Sequence, residues 1–304
     1  MMIASHPFRC LVAGLAALLA APAIAQDLSS VEIRASEVAD GVHVLQGAGG
    51  NLGLVVGEQG AFLIDDQYAP LTERIQAAVA AITDAPIRFV LNTHWHGDHT
   101  GGNENLAEAG ALIVAHDNVR QRLSTGQFMA FFERDVPPAP DGALPVVTFN
   151  DRVTFHLGGH TVDAIHVPHA HTDGDAIVRL READVIHAGD IVFYGMYPFI
   201  DYGSGGRLDG LIAAVDRMLG MSGASTRIIV GHGGPVIGRD ELARYRDMLA
   251  AVHERLRTHL DAGLDLEAIQ AEAPTADFDE FWGGGFIGPA RFVEMNVRGM
   301  RGDG

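Results

Sequence analysis

The chain has 304 residues, 47% of them apolar, with 21 cations against 39 carboxylates and a formal net charge of −18. Every cation is Arg, and beyond short pairs such as Arg255 and Arg257 there is no cluster that could form a basic face, so nucleic acid is not the expected partner and Schiff-base chemistry is excluded. The single cysteine, Cys10, excludes an intrachain disulfide.

Residues 1–25 contain one Arg, an apolar run from Leu11 to Ala21 and the small-x-small end Ala23-Ile24-Ala25, which predict a signal peptide. The run is too short to span a bilayer. Cys10 follows Pro7-Phe8-Arg9, which lacks a lipoprotein context, so cleavage before Gln26 predicts a cysteine-free mature chain with no membrane anchor, periplasmic or secreted by a bacterium. Residues 26–304 read as a single domain in two halves, about 26–140 and 141–304.

Within the first half, Val42–Leu45, Leu52–Val56 and Ala61–Asp65 follow one another through Gly-rich turns as an antiparallel meander would. Leu71, Ile75, Ala78, Val79 and Ile82 recur at helical spacing, with Pro70 in the first turn. Ile87–Leu91 and Ala111–Ala115 have the β-branched, apolar content of buried strands, and His116 and Asp117 read as a capping pair for the next helix. The pattern breaks from Gly126 to Pro145, the natural joint between the halves. Strands resume at Val146–Phe149, Arg152–Leu157, Val162–Val167, Ala176–Leu180 and Asp184–Ala188, with helices at about 207–220 and 239–261. His156, His160 and His166 read as surface or sheet residues rather than ligands.

The chemistry concentrates in His94-Trp95-His96-Gly97-Asp98-His99, just past the strand Ile87–Leu91. Three imidazoles and a carboxylate in one turn are the N/O donors that suit Zn²⁺, with no thiolate on offer. Residues two apart in an extended turn project to the same side, so His94 and His96 can share one ion while Asp98 and His99 reach a second.

This hexapeptide is the H-x-H-x-D-H signature of the metallo-β-lactamase superfamily, which the chain resembles over nearly all of residues 26–304. The resemblance implies a second segment at Pro168–Asp175 that places His171 on the first metal, although His169 stands two residues away and could face it instead. His171 is favoured because Thr172 and then Gly174 follow it; the usual Gly before it is Ala170 here. Asp190, after Asp184–Ala188, resembles the Asp that bridges both ions, and His232, after Arg227–Val230, the last ligand of the second metal.

The implied fold is α/β, a four-layer αββα sandwich with its site at the edge between two sheets. The implied cofactor is two Zn²⁺ per chain, and the implied reaction is metal-assisted hydrolysis of a small-molecule carbonyl substrate, with Asp98 orienting the attacking water. β-Lactam ring opening is the leading expectation; thioester or lactone hydrolysis is the alternative, because Asp190 stands where well-known zinc β-lactamases carry Cys. A non-catalytic periplasmic metal-binding role is the alternative of another class. The flavodiiron branch carries Glu where His96 stands, which argues against redox chemistry. Walls of the site are expected from Gly47–Asn51, Trp95, Phe128–Phe132 and Phe193–Phe199, with Tyr194 and Tyr197 as oxyanion donors. Phe281–Ile287 reads as a loop before a last helix.

Overall fold

The computed structural model describes residues 27–302; the signal-peptide reading and Cys10 lie outside them. The first half alternates strands and helices: β1 (Arg34–Ala39), β2 (Val42–Gln46), β3 (Leu52–Gly57), β4 (Gly60–Ile64), α1 (Thr72–Ala80), β5 (Ile87–Leu91), α2 (Gly97–Thr100), α3 (Asn103–Glu108), β6 (Leu112–His116) and α4 (Asp117–Leu123). A short hairpin, β7 (Gln127–Met129) and β8 (Arg134–Val136), precedes β9 (Val147–Phe149). Then come β10 (Arg152–Leu157), β11 (His160–His166), β12 (Ala176–Leu180), β13 (Val185–His187), β14 (Phe193–Tyr194), α5 (Leu208–Met221), β15 (Arg227–Ile229), β16 (His232–Gly233), α6 (Arg239–Asp261), α7 (Leu266–Ala271), α8 (Asp279–Trp282) and α9 (Pro289–Arg301).

One seven-stranded sheet has the order β1-β2-β3-β4-β5-β6-β9, and a five-stranded sheet the order β10-β11-β12-β13-β15. The meander expected over residues 42–65 is antiparallel β2-β3-β4, whose apolar residues fill both faces. β1 was not anticipated, because its Arg34, Ser36 and Glu37 are exposed on an edge strand and leave little apolar signal. β9 pairs in parallel with β6, so the first sheet continues to Phe149, past the break expected near residue 140. What decides its sheet is its neighbour in space: Phe149 packs in the layer shared by the two sheets.

Three apolar layers define the architecture. Val44, Val55, Phe62 and Ile64 of the first sheet meet Val162, Val178 and Val185 of the second. On the outer side of the first sheet, Leu54, Leu63 and Val90 pack on Ile75 and Val79 of α1 and Leu106 of α3. On the outer side of the second, Ile177, Ile186 and Ile228 pack on α5, α6 and α9. Helix α6 buries Leu242, Tyr245, Leu249, Val252 and Leu256, the three- and four-residue spacing that makes one stripe of a helix apolar. The result is the αββα sandwich.

The strand ends carry the site. β5 and β15 point their carboxyl ends toward the same edge, since each runs parallel to a partner, β4 and β13, that also ends there. The loops after β5, β11, β13 and β15 therefore converge from both sheets.

Candidate metal centre

Two groups of side chains meet at that edge: His94, His96, His171 and Asp190, and beside them Asp98, His99 and His232, with the donor atoms of each group within 4.8 Å of one another. His94 Nε2 lies 3.1 Å from His96 Nδ1, and His171 Nε2 lies 2.9 Å from the same nitrogen, so three ring nitrogens converge. Asp190 sits between the groups, with Oδ2 3.7 Å from His94 Nε2 and 3.3 Å from His232 Nε2. His99 and His232 bring their Nε2 atoms to 3.3 Å, and Asp98 Oδ2 is 3.2 Å from His232 Nε2. His169 is not part of either group. Its backbone is left-handed (φ 55°), and its Nδ1 pairs with Gly205 O at 2.9 Å on the exposed side. Turning the chain at residue 169 is what sends Ala170 and His171 inward.

Four of the five imidazoles, those of His94, His96, His99 and His171, have their other nitrogen engaged, which fixes the ring and leaves one lone pair for the centre. His171 Nδ1 is 2.8 Å from Phe199 O, and His94 Nδ1 is 3.1 Å from Thr93 Oγ1. His96 is held on the opposite edge of its ring by Asp201, at 2.9 Å, and therefore presents Nδ1 where the others present Nε2. Asp65, fully buried at the end of β4, accepts from His99 Nδ1 at 2.8 Å and from both the amide and hydroxyl of Thr93. One carboxylate thus steadies both groups, and its left-handed backbone (φ 62°) is a strained conformation kept at a functional site. Two glycines clear the space: a Cβ on Gly50 would collide with the His99 ring, and one on Gly231 with the Asp190 carboxylate.

The electrostatics divide the same way. Burial, reinforced by the neighbouring His99, holds His94 well below the usual imidazole range, and burial pushes His171 down to about 4 against the pull of Asp190. Those rings are neutral, as ligands must be. For His99 and His232 burial also opposes charge, but Asp190 and Asp98 outweigh it, raising His99 well above its ordinary value and His232 to about 9. Asp190 stays ionised because His232, His99 and His94 overcome its burial. A cation at the second group would balance the Asp190 and Asp98 carboxylates directly and leave His99 and His232 as neutral ligands.

The donor set fits metal ions on a further observation. Asp190 Oδ1 is buried with no hydrogen-bond partner; it lies 3.1 Å from His99 Nε2 without hydrogen-bond geometry. An orphaned carboxylate oxygen amid inward-facing imidazole nitrogens is the environment of a cation.

The rim differs from expectation. Tyr197 is fully buried: its ring stacks on Phe292 at 4.5 Å and its hydroxyl donates to Asp279 at 2.7 Å, so it cannot serve as an oxyanion donor. Tyr194 is turned to the α6 side, its hydroxyl 3.4 Å from Arg244 Nη2 and its ring edge-on to Phe281 and Trp282. Trp95 lies under the site, packed with Ala115, Val119 and Leu144, and is not a wall. A phenol whose ring does lie near Asp98 is Tyr68. A Cβ on Gly49 would meet Asp98 Cβ at 2.7 Å and Tyr68 Cε2 at 3.1 Å. Burial, then the Asp98 charge, pushes this phenol up to about 12, so it keeps its proton. Asp65, Asp201 and Tyr68 are the residues that reading the sequence missed. Only Asp65 had a signal, an acid ending a wholly apolar strand.

Asp201 makes a testable case. Asp201→Asn keeps an acceptor for His96 but loses the charge that polarises the ring, and should weaken zinc binding roughly tenfold; Asp201→Leu should approach a hundredfold, read by chelator competition.

Comparisons agree with this geometry. A family model described as the metallo-beta-lactamase superfamily matches residues 45–279. The chain is 36% identical over 108 residues to a hydroxyacylglutathione hydrolase of Erythrobacter litoralis, a match covering 35% of each chain. It is 30% identical over 207 residues to an atrochrysone carboxyl ACP thioesterase of Claviceps purpurea, covering 64% of this chain and 56% of that one. The chain thus spans between about a third and a little over half of the length of these curated relatives. Among solved structures, a metallo-beta-lactamase from Pontibacter korlensis aligns with a TM-score of 0.58 at 20% identity, covering 72% of this chain and 99% of that one. A stereoselective inverting sec-alkylsulfatase from Pseudomonas sp. aligns with a TM-score of 0.66 at 18% identity, covering 88% and 50%. These likenesses show the shared fold. With the ligand-bearing strand ends, the paired His/Asp groups and a family match over most of its length, the chain belongs to the metallo-β-lactamase superfamily.

Proposed function

We propose that the chain is a dizinc hydrolase of small acyl substrates, thioesters foremost. The observation that carries this reading is the all-His/Asp donor set, with the Asp190 carboxylate in the position shared by the two groups. Relatives named as a hydroxyacylglutathione hydrolase and an ACP thioesterase support the choice of thioesters over β-lactams. Zinc, when bound, would supply Lewis acidity to the substrate carbonyl and to the attacking water.

The remaining work falls to the chain's own side chains. The side chains of Asp98 and His232 are 21% and 19% exposed, whereas those of His94 and His171 are buried, so substrate approaches over the second group. Asp98, held below the usual carboxylate range by His99 and His232 despite its burial, stays charged and orients the attacking water at Oδ2. Tyr68, whose ring lies near it, donates a hydrogen bond from its hydroxyl to the oxygen that becomes anionic and keeps its proton. Tyr68→Phe should lower kcat on the order of 10²-fold with zinc content unchanged. An undiminished kcat would remove it from the mechanism.

We also place the mature chain outside the cytoplasm, on the signal-like residues 1–25, with a small molecule and not nucleic acid as its substrate. The deciding experiment assays zinc-loaded protein against a hydroxyacylglutathione thioester, a lactone and nitrocefin, with metal content measured on the same batch. Thioester kcat/KM is expected to lead by at least about tenfold; a preference for nitrocefin would replace thioesters with β-lactams.

A further inference from the structure

Of the five ligand imidazoles, His232 is the one whose Nδ1 has no hydrogen-bond partner among the described residues. Its Nε2 faces His99 and Asp98, and its ring lies flat on Phe193 at 5.1 Å between centroids. It also sits in a permissive stretch of backbone, with Gly231 before it and the left-handed Gly233 and Gly234 (φ 80° and 29°) after it. Something other than its own ring must hold it. We infer that Asn51 and His187 are positioning residues that fix His232 and Asp190 across the two sheets and thereby set the affinity for the second metal ion, an inference that rests on the dinuclear reading above.

Asn51, expected at a wall of the site, is buried just before β3 and reaches over to the second half. Its amide donates to Gly231 O at 2.8 Å, and its side-chain Nδ2 donates to Val230 O at 2.8 Å and to Gly233 O at 3.4 Å. One residue therefore holds carbonyls on both sides of His232. Gln46 Nε2 donates to Asn51 Oδ1 at 3.2 Å, which turns the side-chain amide so that Nδ2 faces those carbonyls.

The same residue reaches Asp190 through His187. His187, fully buried at the end of β13, donates from Nε2 to Asn51 O at 3.0 Å and accepts at Nδ1 from Gly189 N at 3.2 Å. Both ring nitrogens are committed, one to the first half and one to the residue before Asp190. Gly189 is left-handed (φ 49°), and a Cβ there would collide with Thr93, so the turn into Asp190 has little freedom once its amide is tied. Gly53 makes room for the ring, since a Cβ on it would lie 3.0 Å from His187 Cδ2. None of these bonds involves His94, His96 or His171, whose rings are anchored by Thr93, Asp201 and Phe199. Cutting the bridge leaves the first ion its three imidazoles. The second ion loses the placement of His232 and of the shared carboxylate.

The test is a stepwise zinc titration of the metal-free protein by chelator competition, with melting temperatures of the same metal-free samples. Wild-type protein should take up two ions in separable steps. Asn51→Ala should weaken the second step roughly 10–100-fold and leave the first unchanged. His187→Leu should act in the same direction, and His187→Gln, which keeps a donor for Asn51 O, should recover much of the loss. Unchanged affinities in Asn51→Ala and His187→Leu would overturn the bridge. Equal losses at both steps, in protein whose metal-free melting temperature has fallen, would also overturn it, because they mark a general loosening of the fold. Should Asn51→Ala fail to fold, the two His187 variants decide, and equal second-step affinities reject the bridge. A wild type that binds a single ion would overturn the dinuclear reading, and the bridge's role in the second ion with it. No substrate enters the measurement, so its outcome is independent of which acyl group is hydrolysed.

Discussion

Asp98→Asn is expected to lower kcat/KM by about 10³-fold or more while leaving the fold intact. The substitution is nearly isosteric, and the Asp98 side chain sits at the open side of the centre, so packing loses little. What is lost is the charge that orients the attacking water and helps hold the second ion. Asp98 Oδ2 lies 3.2 Å from His232 Nε2 and 3.7 Å from His99 Nε2. An amide there cannot balance the second cation and holds the attacking water less strongly. Losing one preorganised charged contact costs on the order of 10²–10³-fold, and weaker binding of the second ion adds to it. Thermal melts and kinetics at saturating zinc provide the check. Full activity toward thioester, ester and lactam alike would remove the proposed role of Asp98 altogether.

The second large effect is on metal content. Zinc-saturated protein should carry close to two ions per chain, and His171→Ala should lose mainly the ion of the first group, falling toward one with activity near background. His171 supplies one of three converging nitrogens, and its removal also leaves Phe199 O without its partner in a buried wall. His169→Ala should keep both ions, since that ring only meets Gly205 O at the surface. Metal analysis after dialysis distinguishes the cases. If His169→Ala loses zinc and His171→Ala keeps it, the register of this segment is wrong, and a single ion at saturation would end the dinuclear reading.

The ligand segments were legible because metal chemistry works at short range along the chain. His94, His96, Asp98 and His99 share one strand-end turn, and Asp190 and His232 each follow a short apolar strand of their own. The helices α5 and α6 were legible for a similar reason, since burial of one face forces a three- and four-residue apolar spacing. Neither signal reaches across the fold. Asp201 stands 105 positions from His96, and its role exists only because the turn after β14 passes behind that ring. Tyr197 reads as a polar-tipped aromatic near a motif, yet α9 packs on its ring and Asp279 of α8 takes its hydroxyl.

By itself the sequence determined the donor types, their order and the strand ends that carry them, because those depend on local spacing and side-chain chemistry. Tertiary structure decided the rest: which of His169 and His171 turns inward, which nitrogen of His96 faces the centre, that Tyr68 and not Tyr194 or Tyr197 stands beside Asp98, and that β9 completes the first sheet. Each of these is settled by contacts between segments far apart in the chain, where packing and hydrogen-bond satisfaction in a shared interior outweigh any local preference.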